Sequence, residues 1–357
     1  MSSASDVVEK TSMTEKPTFA GRIIALLVGF VLFAVAAEIA MRLLMPQWPE
    51  FYSARFMVAA HSDKFGPFSL GRSGFNGWFS QNNGDFRTHI RINEFGLRND
   101  QPISSANGAI WVVGDSMTFG WGVEEGERYS TIIGKDLKLS TYNVASPGTD
   151  VCGYRALIER MPASTKPSAV VIGLVLENDL RSYDCNARSK AVPADEPLRL
   201  IDAKVWLTGN SSLYNVLALT LKKVDIVRQI LMAVGLVNKE HAYKRFFSLN
   251  EVAAVVASTA VNIATLCRDV PPNTPCAVLV MPARFEILNG DTIYHAARVA
   301  LGKALVDKGI GIIDPFNAFK AAGFAPTHFA HDGHWSTLGH QIAADAVAHW
   351  LRQQANN

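Results

Sequence analysis

Residues 109–123 read AIWVVGDSMTFGWGV, a short apolar run that ends at Gly114-Asp115-Ser116. The run has the length of a buried β-strand, and the turn after it places a serine at the strand's carboxyl end. Four further apolar runs of strand length follow, and helix-like segments separate them. We predict strands at 109–114, 142–145, 169–176, 277–281 and 310–314, and helices near 127–139, 150–161, 250–268, 292–308 and 337–353.

Strands that alternate with helices are typical of βαβ units joined into one parallel sheet. The predicted fold class is therefore α/β, a flavodoxin-like three-layer α/β/α sandwich with a mainly parallel sheet. The strands read as continuous apolar runs, as expected when helices cover both faces of the sheet. Because ligands bind outside the carboxyl ends of such strands, the polar residues that follow each strand are the candidate site residues.

The composition excludes two classes of protein. The chain has 357 residues, of which 48% are hydrophobic and 18% charged, and its formal net charge is +2. A disordered chain needs few apolar residues and a large net charge. A nucleic-acid-binding protein needs a broad basic surface, which a nearly neutral chain does not supply, so we expect no nucleic-acid partner.

An apolar segment near the N-terminus predicts a membrane anchor. Residues 23–37 read IIALLVGFVLFAVAA, and the helix-compatible run continues to residue 45, before Pro46. The 23 residues of 23–45 would span roughly 34 Å, enough to cross a hydrocarbon core of about 30 Å. Two alternatives are a cleaved signal peptide and a buried core helix. Lys10, Lys16 and Arg22 precede the segment and favour a cytoplasmic N-terminus, with the remainder of the chain outside the inner (cytoplasmic) membrane, in the periplasm or the extracellular space.

The predicted organisation has four parts. Residues 1–22 form a flexible tail, 23–45 the transmembrane anchor, 46–108 an N-terminal extension with a hairpin near 88–92, and 109–354 the α/β domain. An insertion at about 180–249 interrupts the strand–helix alternation and contains an apolar helix near 213–237. We expect this insertion to lie over the carboxyl end of the sheet.

The four cysteines are consistent with an exported domain. Cys267 and Cys276 bracket a loop between a predicted helix and a predicted strand, so a disulfide between them is geometrically easy. Cys152 and Cys185 each follow a candidate site motif and form a second candidate pair. An even number of cysteines in an exported domain favours disulfides, and four unrelated buried thiols are the alternative. The sequence has no Cys-x-x-Cys, so it suggests neither a zinc site nor a thioredoxin-type site.

Four polar segments follow predicted strands or precede the last helix. They are GDSMTFGWGV (114–123), NVASPG (143–148), LENDL (176–180) and HDGHWSTLGH (331–340). Taken alone, each has an ordinary structural explanation, because Gly-Asp-Ser is often a helix cap and Pro-Gly or Asn-Asp an ordinary turn. A histidine-rich loop could also hold a metal, but no second cluster of ligands has matching spacing, so we expect no metal or other cofactor. A serine combined with a late His and Asp suits acyl transfer better.

In this order the four segments resemble the four blocks of the SGNH (GDSL-type) hydrolases. The resemblance covers about residues 109–354. It implies that Ser116 is the nucleophile and His334 the general base, with an oxyanion hole formed by the Ser116 N–H, the Gly148 N–H and the Asn178 side chain. The common family pattern places an aspartate three residues before the histidine, whereas here Asp332 lies two before it. This Asp-x-His spacing resembles SGNH proteins of polysaccharide O-acetylation, so Asp332 is predicted to orient His334.

The resemblance implies a membrane-anchored serine esterase or O-acyltransferase that acts on an ester, with a carbohydrate ester of the cell surface as the preferred substrate class. The alternative is an accessory subunit of a membrane protein assembly, with a catalytically silent SGNH fold and a membrane protein as its partner. Among the neighbouring residues, Asp115 is expected to structure the turn and Trp335 to pack. His340 and His349 are expected on the surface of the last helix.

Overall fold

The computed structural model of the protein describes residues 18–81, 84–190, 200–222, 224–233 and 247–355. Most of the predicted tail and part of the predicted insertion lie outside these residues. The strands are β1 (Met57–Ser62), β2 (Gly66–Gly71), β3 (Asn76–Ser80), β4 (Arg87–Arg91), β5 (Ile110–Gly114), β6 (Thr141–Ala145), β7 (Ala169–Val175), β8 (Cys276–Met281) and β9 (Gly311–Ile313).

The helices range from one turn to seven turns in length. They are α1 (Phe19–Leu44), α2 (Ser116–Phe119), α3 (Tyr129–Leu137), α4 (Val151–Glu159), α5 (Leu176–Asp179), α6 (Cys185–Lys190), α7 (Leu200–Asn210), α8 (Ser212–Lys222), α9 (Asp225–Ala233), α10 (Val252–Asp269), α11 (Arg284–Asn289), α12 (Thr292–Val306), α13 (Phe316–Ala322), α14 (Phe324–Thr327) and α15 (Thr337–Ala355).

Strands β5 to β9 form one five-stranded sheet in the order β6-β5-β7-β8-β9, with every neighbouring pair parallel. Numbered along the chain, this is the flavodoxin-like order 2-1-3-4-5. The predicted fold class is therefore confirmed. In this order the connections run in opposite directions from β5, toward β6 on one side and β7 on the other. Ligand crevices of doubly wound folds form at this point, outside the carboxyl ends of the strands. Ser116 lies there, two residues after the end of β5.

Helices cover both faces of the sheet and give the three layers. Within β5, Trp111 and Val113 pack with α4, α10 and α12 on one face, whereas Ile110 and Val112 pack with α3 and α15 on the other. Side chains of a strand alternate between faces, so a strand covered on both sides must be apolar at every position. This requirement explains the continuous apolar runs in the sequence.

The N-terminal extension forms two antiparallel hairpins, β1–β2 and β3–β4. The predicted hairpin near 88–92 corresponds to β4, which pairs with β3, and the β1–β2 hairpin was not predicted. A small apolar core joins the extension to the main sheet. It contains Phe56, Phe79 and Ile90 of the extension, Phe119 of α2 after β5, and Ala145 at the end of β6. The extension is thereby held close to the carboxyl ends of β5 and β6.

Helix α1 begins four residues earlier than the predicted span, with Thr18 as its N-cap. It is long and apolar enough to cross a membrane, and no residue in its most apolar 18-residue segment is buried. A second described stretch, Leu249–Asp269, passes the same test of length and composition. That stretch contains α10, which packs between α4 and α12 in the core, and its composition is explained by this burial.

The described part of the insertion differs from the prediction in its helices. The single helix expected near 213–237 is two helices, α8 and α9, that meet near Val224, and residues 234–237 lie outside the described residues. Helices α7 and α8 contact α1 and the short turn at Trp48–Phe51, in the N-terminal part of the chain. The expected position of the insertion over the carboxyl end of the sheet stays a prediction.

Both candidate disulfides are present. Cys152 in α4 is bonded to Cys185 at the start of α6, with the two Cα atoms 5.5 Å apart. Cys267 in α10 is bonded to Cys276 at the start of β8, with a Cα–Cα distance of 5.9 Å. The first bond ties the beginning of the insertion to the core helix α4.

Candidate active site

The structure brings together the three residues predicted to form the catalytic centre. His334 Nε2 lies 2.8 Å from Ser116 Oγ, and His334 Nδ1 is hydrogen bonded to Asp332 Oδ1. With Nδ1–H donating to the carboxylate, the neutral imidazole presents Nε2 as the acceptor for the serine proton. Such an arrangement is the geometry of a serine–histidine–aspartate triad.

The unusual spacing of Asp332 and His334 is accommodated by the glycine between them. Gly333 adopts a left-handed backbone conformation with φ of +80°, which side-chain-bearing residues rarely adopt. A Cβ atom built at Gly333 would also lie 2.1 Å from Arg284 Nη1. The turn at Gly333 lets both neighbours point toward the same cavity.

The electrostatics of the pair favour a charged carboxylate beside the imidazole. Burial alone would raise the pKa of Asp332, but the charge and hydrogen bond of His334, together with Gln81, bring that pKa below its ordinary value. Burial alone would lower the pKa of His334, but the charge and hydrogen bond of Asp332 raise it above its ordinary value. The carboxylate is thus suited to stabilise an imidazolium formed at His334.

The position of Ser116 follows from the turn between β5 and α2. Asp115 caps α2, because its Oδ1 accepts a hydrogen bond from Met117 N at 2.9 Å. Gly114 has no room for a side chain, since a Cβ atom there would lie 2.1 Å from Thr118 Oγ1. This close approach of α2 to β5 holds Ser116 at the end of the strand, facing His334.

The predicted oxyanion donors follow the two strands that flank β5. Gly114 pairs with Ala145 of β6 and with Gly173 of β7, so the residues after all three strands lie along one edge of the sheet. Asn178 Nδ2 donates to Asp115 Oδ2 at 2.7 Å, and Asn178 lines the cavity beside Ser116. Gly148 lies in the turn after β6 with φ of +73°.

Burial raises the pKa of Asp115, although the hydrogen bond from Asn178 offsets part of this effect. Asp115 therefore has a second role besides the cap that the sequence suggested. It connects the nucleophile turn to Asn178.

A cavity of about 210 Å³ opens at the triad. An ion pair forms part of its wall, with Arg284 Nη2 2.8 Å from Glu177 Oε2. The cavity is lined by Ser116, Met117, Val175, Glu177, Asn178, Met281, Pro282, Arg284, Asp332, Gly333, His334 and Trp335. Among the described residues, no group of three or more His, Cys, Asp and Glu side chains is placed to hold a metal ion.

Two residues of the N-terminal extension contact the loop that carries Asp332, and the sequence analysis missed both. Gln81 Nε2 donates a hydrogen bond to Asp332 Oδ2, the carboxylate oxygen that does not face His334. Asp85 accepts a hydrogen bond from His331 N at 2.8 Å, and its Oδ1 lies 2.7 Å from His331 Nδ1. The residues QNNGD at 81–85 read as an ordinary polar turn, so nothing in the pattern pointed to this contact.

A third residue of the extension supports the loop that follows Ser116. The fully buried Arg98 donates from Nη1 to Phe119 O at 3.3 Å and from Nη2 to Val123 O at 2.8 Å. Trp121, which lies in the same loop, places its ring 5.9 Å from the imidazole of His334. The extension therefore supports both sides of the triad.

Of the two histidines predicted on the surface of the last helix, one is exposed and the other is buried. His349 is exposed, as expected, but His340 is buried and lies against the rings of Tyr129 and Trp335. Burial, followed by the nearby Arg98 and Arg128 charges, lowers the pKa of His340 to about 3. His340 faces the core because α15 packs on α3, which contains Tyr129. Trp335 is buried and stacks on Phe319, as expected for a packing residue.

No protein-family model and no curated protein sequence matches this chain. Many solved structures are similar in shape, three of which serve as examples. A lipase/acylhydrolase from Enterococcus faecalis is 12% identical, with 69% of this chain and 96% of that chain covered and a TM-score of 0.40. A lipolytic protein of the G-D-S-L family from Veillonella parvula DSM 2008 is 14% identical over 68% of this chain and 96% of that chain, with a TM-score of 0.37.

The third is a carbohydrate esterase family 2 enzyme from Corynascus thermopiles, 14% identical over 70% of this chain and 67% of that chain, with a TM-score of 0.40. At these identities and TM-scores the likeness assigns neither activity nor substrate to this chain. The fold stated above follows from the order of the chain's own strands, and the site from its own interatomic distances.

Proposed function

We propose that this protein is a serine ester hydrolase or O-acyltransferase that works through an acyl-Ser116 intermediate. The observation that carries the proposal is the 2.8 Å contact between Ser116 Oγ and His334 Nε2, with His334 Nδ1 held by Asp332. A nucleophile within hydrogen-bond reach of a base, and a base oriented by a third group, is the requirement for nucleophilic catalysis.

In the first half-reaction Ser116 Oγ attacks the acyl carbon of the ester while His334 Nε2 takes the serine proton. The tetrahedral intermediate then collapses, its bond to the alcohol oxygen breaks, and His334 returns the proton to the leaving alkoxide. In the second half-reaction water or an acceptor hydroxyl attacks acyl-Ser116 and loses its proton to His334. Collapse restores the Ser116 hydroxyl and releases the acid or the new ester.

In this proposal the negatively charged oxygen of each tetrahedral intermediate accepts hydrogen bonds from the Ser116 N–H, the Gly148 N–H and the Asn178 side chain. The turns after β5, β6 and β7 that contain these three residues lie side by side. A preorganised donor of this kind contributes about 2.7–4 kcal/mol to lowering the barrier. The Asp115 carboxylate orients Asn178, which keeps its amide at the wall of the cavity.

We assign a short acyl group, acetyl above all, to the 210 Å³ cavity. Pockets for drug-sized ligands measure roughly 300–1,000 Å³, so this volume suits a small group better than a long chain. The Asp-x-His block resembles proteins of polysaccharide O-acetylation, and a carbohydrate of the cell surface is accordingly the proposed source or acceptor of the acyl group.

The proposed location is the inner membrane, with α1 as a single-pass anchor, the N-terminus inside and the α/β domain in the periplasm or outside the cell. Helix α1 has the required length and its apolar side chains are exposed. Disulfides persist in oxidising compartments, and the two bonds at Cys152–Cys185 and Cys267–Cys276 fit this location.

The second candidate is an accessory subunit whose SGNH-like domain is silent. It is favoured by exposed apolar side chains on α7–α9, such as Trp206, Ile226 and Ile230, which suit a membrane partner. Against it, the cavity reaches Ser116, and His334 lies at hydrogen-bond distance from that serine. An enclosed serine, cut off from solvent by the extension, would have favoured the accessory role.

The test is hydrolysis of p-nitrophenyl acetate by the full chain in detergent. We expect turnover by the wild type and none above background by Ser116→Ala, while the surface variant Ser73→Ala is unaffected. A soluble oligosaccharide added as acceptor then separates the two reactions, since an acyltransferase will form the acetylated sugar and a hydrolase only acetate. Folded wild-type protein without turnover would favour the accessory role.

A further inference from the structure

The described helices of the insertion expose an unusual amount of apolar surface. Across residues 109–180, all of which the structure describes, Leu139 is the single large apolar side chain that is exposed. In α7–α9 and at position 224 between α8 and α9, the exposed large apolar side chains are Val205, Trp206, Leu217, Leu221, Val224, Ile226 and Ile230. We call these seven residues the apolar surface of α7–α9.

The helices that carry this surface are attached to α1 by hydrogen bonds, mainly at one acidic residue. Both carboxylate oxygens of Glu38 accept hydrogen bonds from the start of α8, at 2.9 Å from Ser212 N and 2.9 Å from Leu213 N. A carboxylate at a helix N-terminus is stabilised by the unpaired backbone N–H groups and by the helix dipole. From the other side, Arg42 Nη2 donates to Asn210 O, the last residue of α7, at 2.7 Å.

The position of Glu38 along α1 sets the depth of this contact. The uncharged apolar run Ile23–Ala37 comprises 15 residues, about 22 Å at 1.5 Å per residue, and Glu38 is the first charged residue after it. A charged side chain is costly within the hydrocarbon core, so if α1 spans the bilayer from Ile23, Glu38 lies near the far boundary between lipid tails and head groups. The start of α8 therefore lies at that boundary too.

From these relations we infer that the apolar surface of α7–α9 lies in the outer interface of the same bilayer that α1 spans, so that lipid covers it. This inference rests on the proposed membrane placement of α1. The helices that carry the surface are attached to α1 at the depth of the interface, through Glu38 at the start of α8 and Arg42 at the end of α7.

The chemistry of the exposed side chains fits an interfacial location. Ile226 and Ile230 are four residues apart on α9, so they share one helix face, and they are 67% and 58% exposed. Trp206 is exposed on α7, and tryptophan is the residue that membrane–water interfaces favour. A helix that lies in the interface presents such a face to the acyl chains, while its polar side stays in water. The α/β domain is thereby held against the membrane by a second contact besides α1.

The experiment uses the full chain reconstituted in phosphatidylcholine–phosphatidylglycerol liposomes, with an environment-sensitive fluorophore on single added cysteines. Ile226→Cys and Ile230→Cys report on the surface, and Leu32→Cys in the middle of α1 reports on the anchor. Val299→Cys is the matched control, since Val299 is 55% exposed on α12, which packs against α10 and β9. Quenching by brominated lipid is compared with quenching by aqueous iodide.

We expect the labels at positions 226 and 230 to lose emission with brominated lipid and to resist iodide, and the label at 299 to do the reverse. Quenching by lipid at 32 but not at 226 or 230 would overturn the inference and leave the anchor intact. Absence of lipid quenching at position 32 would overturn both the inference and the proposed membrane anchor. Labels at 226 and 230 that resist both quenchers would show that protein, rather than lipid, covers the surface, which also contradicts the inference.

Discussion

Asn178 Nδ2 donates a hydrogen bond to Asp115 Oδ2 at 2.7 Å, which connects α5, the helical turn after β7, to the residue before Ser116. Asp115 is buried and also caps α2 through Met117 N. One carboxylate thus holds both the turn that carries Ser116 and the Asn178 amide. In the proposed reaction Ser116 Oγ attacks the acyl carbon while Asn178 donates to the oxygen bonded to that carbon, so a shared anchor keeps the two groups in register.

Replacing Asn178 by alanine removes the proposed side-chain donor of the oxyanion hole. We expect kcat on p-nitrophenyl acetate to fall by about 10²–10³-fold with little change in KM, because the donor acts on charge that develops in the transition state. Steady-state kinetics of the purified full chain measures the effect, with the exposed Asn186→Ala as the matched control. A kcat within a factor of two or so of the wild type would remove Asn178 from the oxyanion hole.

Asp332→Asn tests the Asp-x-His pair through the pH profile. Only neutral His334 can accept the serine proton, and its pKa is raised by Asp332, so kcat/KM of the wild type should rise with pH through a pKa above the ordinary 6.5. Without the carboxylate charge, burial lowers the pKa of His334, and the rising limb moves to lower pH. The plateau should fall by roughly 10⁴-fold, the cost of losing the correct tautomer.

The control for this change is Asp85→Asn, because Asp85 pairs with His331 and has no contact with His334 among those described above. We expect its rising limb to coincide with that of the wild type. If the rising limb of kcat/KM in Asp332→Asn stays at the pH of the wild type, another group orients His334.

Gln81→Ala removes the hydrogen bond to the outer oxygen of Asp332. The contact involves a buried charged group, for which a hydrogen bond contributes about 1.5–3 kcal/mol, so we expect kcat to fall about tenfold or more with KM unchanged. Gln81 positions Asp332 and does not contact the reacting atoms, so the loss should appear in kcat and not in KM, beside a fall of a few degrees in the melting temperature. Gln101→Ala, on the exposed surface of the same extension, is the control. Equal loss in both variants would indicate a general effect of the extension rather than positioning of Asp332.

His340 makes the stability of the domain sensitive to acid. The pKa of this buried histidine is about 3, whereas in the unfolded chain it is about 6.5. Between these values the unfolded state binds the proton and the folded state does not, so stability falls as the pH drops below about 6.5, on the order of 2 kcal/mol by pH 5. His340→Asn keeps an acceptor near Tyr129 N without the titration. The melting temperature of the wild type should therefore fall more between pH 7.5 and pH 5 than that of the variant, and parallel falls would contradict this assignment.

The main sheet could be predicted from sequence because its strands are buried on both faces. A continuous apolar run such as Ile110–Gly114 is a strong signal, and the observed bounds differ from the predicted ones by a residue or so. The residues after these strands, Ser116 and Asn178 among them, could be proposed as site residues because parallel strands end at one edge.

Other features had no local signal. Gln81 contacts Asp332 across 251 positions of sequence, and only the packing of the extension brings them together. By contrast, the burial of His340 had a local signal, because His340 lies three, four and seven residues before Ala343, Ala344 and Val347 on the buried face of α15 that packs on α3. The prediction of a surface histidine followed the polarity of the side chain instead of this spacing. The break between α8 and α9 falls within TLKKVDI (220–226), which contains neither proline nor glycine, so no helix-breaking residue indicated it.

If Ser116 carries the acyl group, the acyl-enzyme can be trapped on it. The full chain would be mixed with p-nitrophenyl acetate, quenched in acid within the first turnover, digested, and analysed by mass spectrometry beside Ser116→Ala. We expect one acetyl group on the peptide that contains Ser116 in the wild type, and none on the matching peptide of the variant. Turnover with an unmodified Ser116, or acetylation that persists in Ser116→Ala at the same rate, would contradict it.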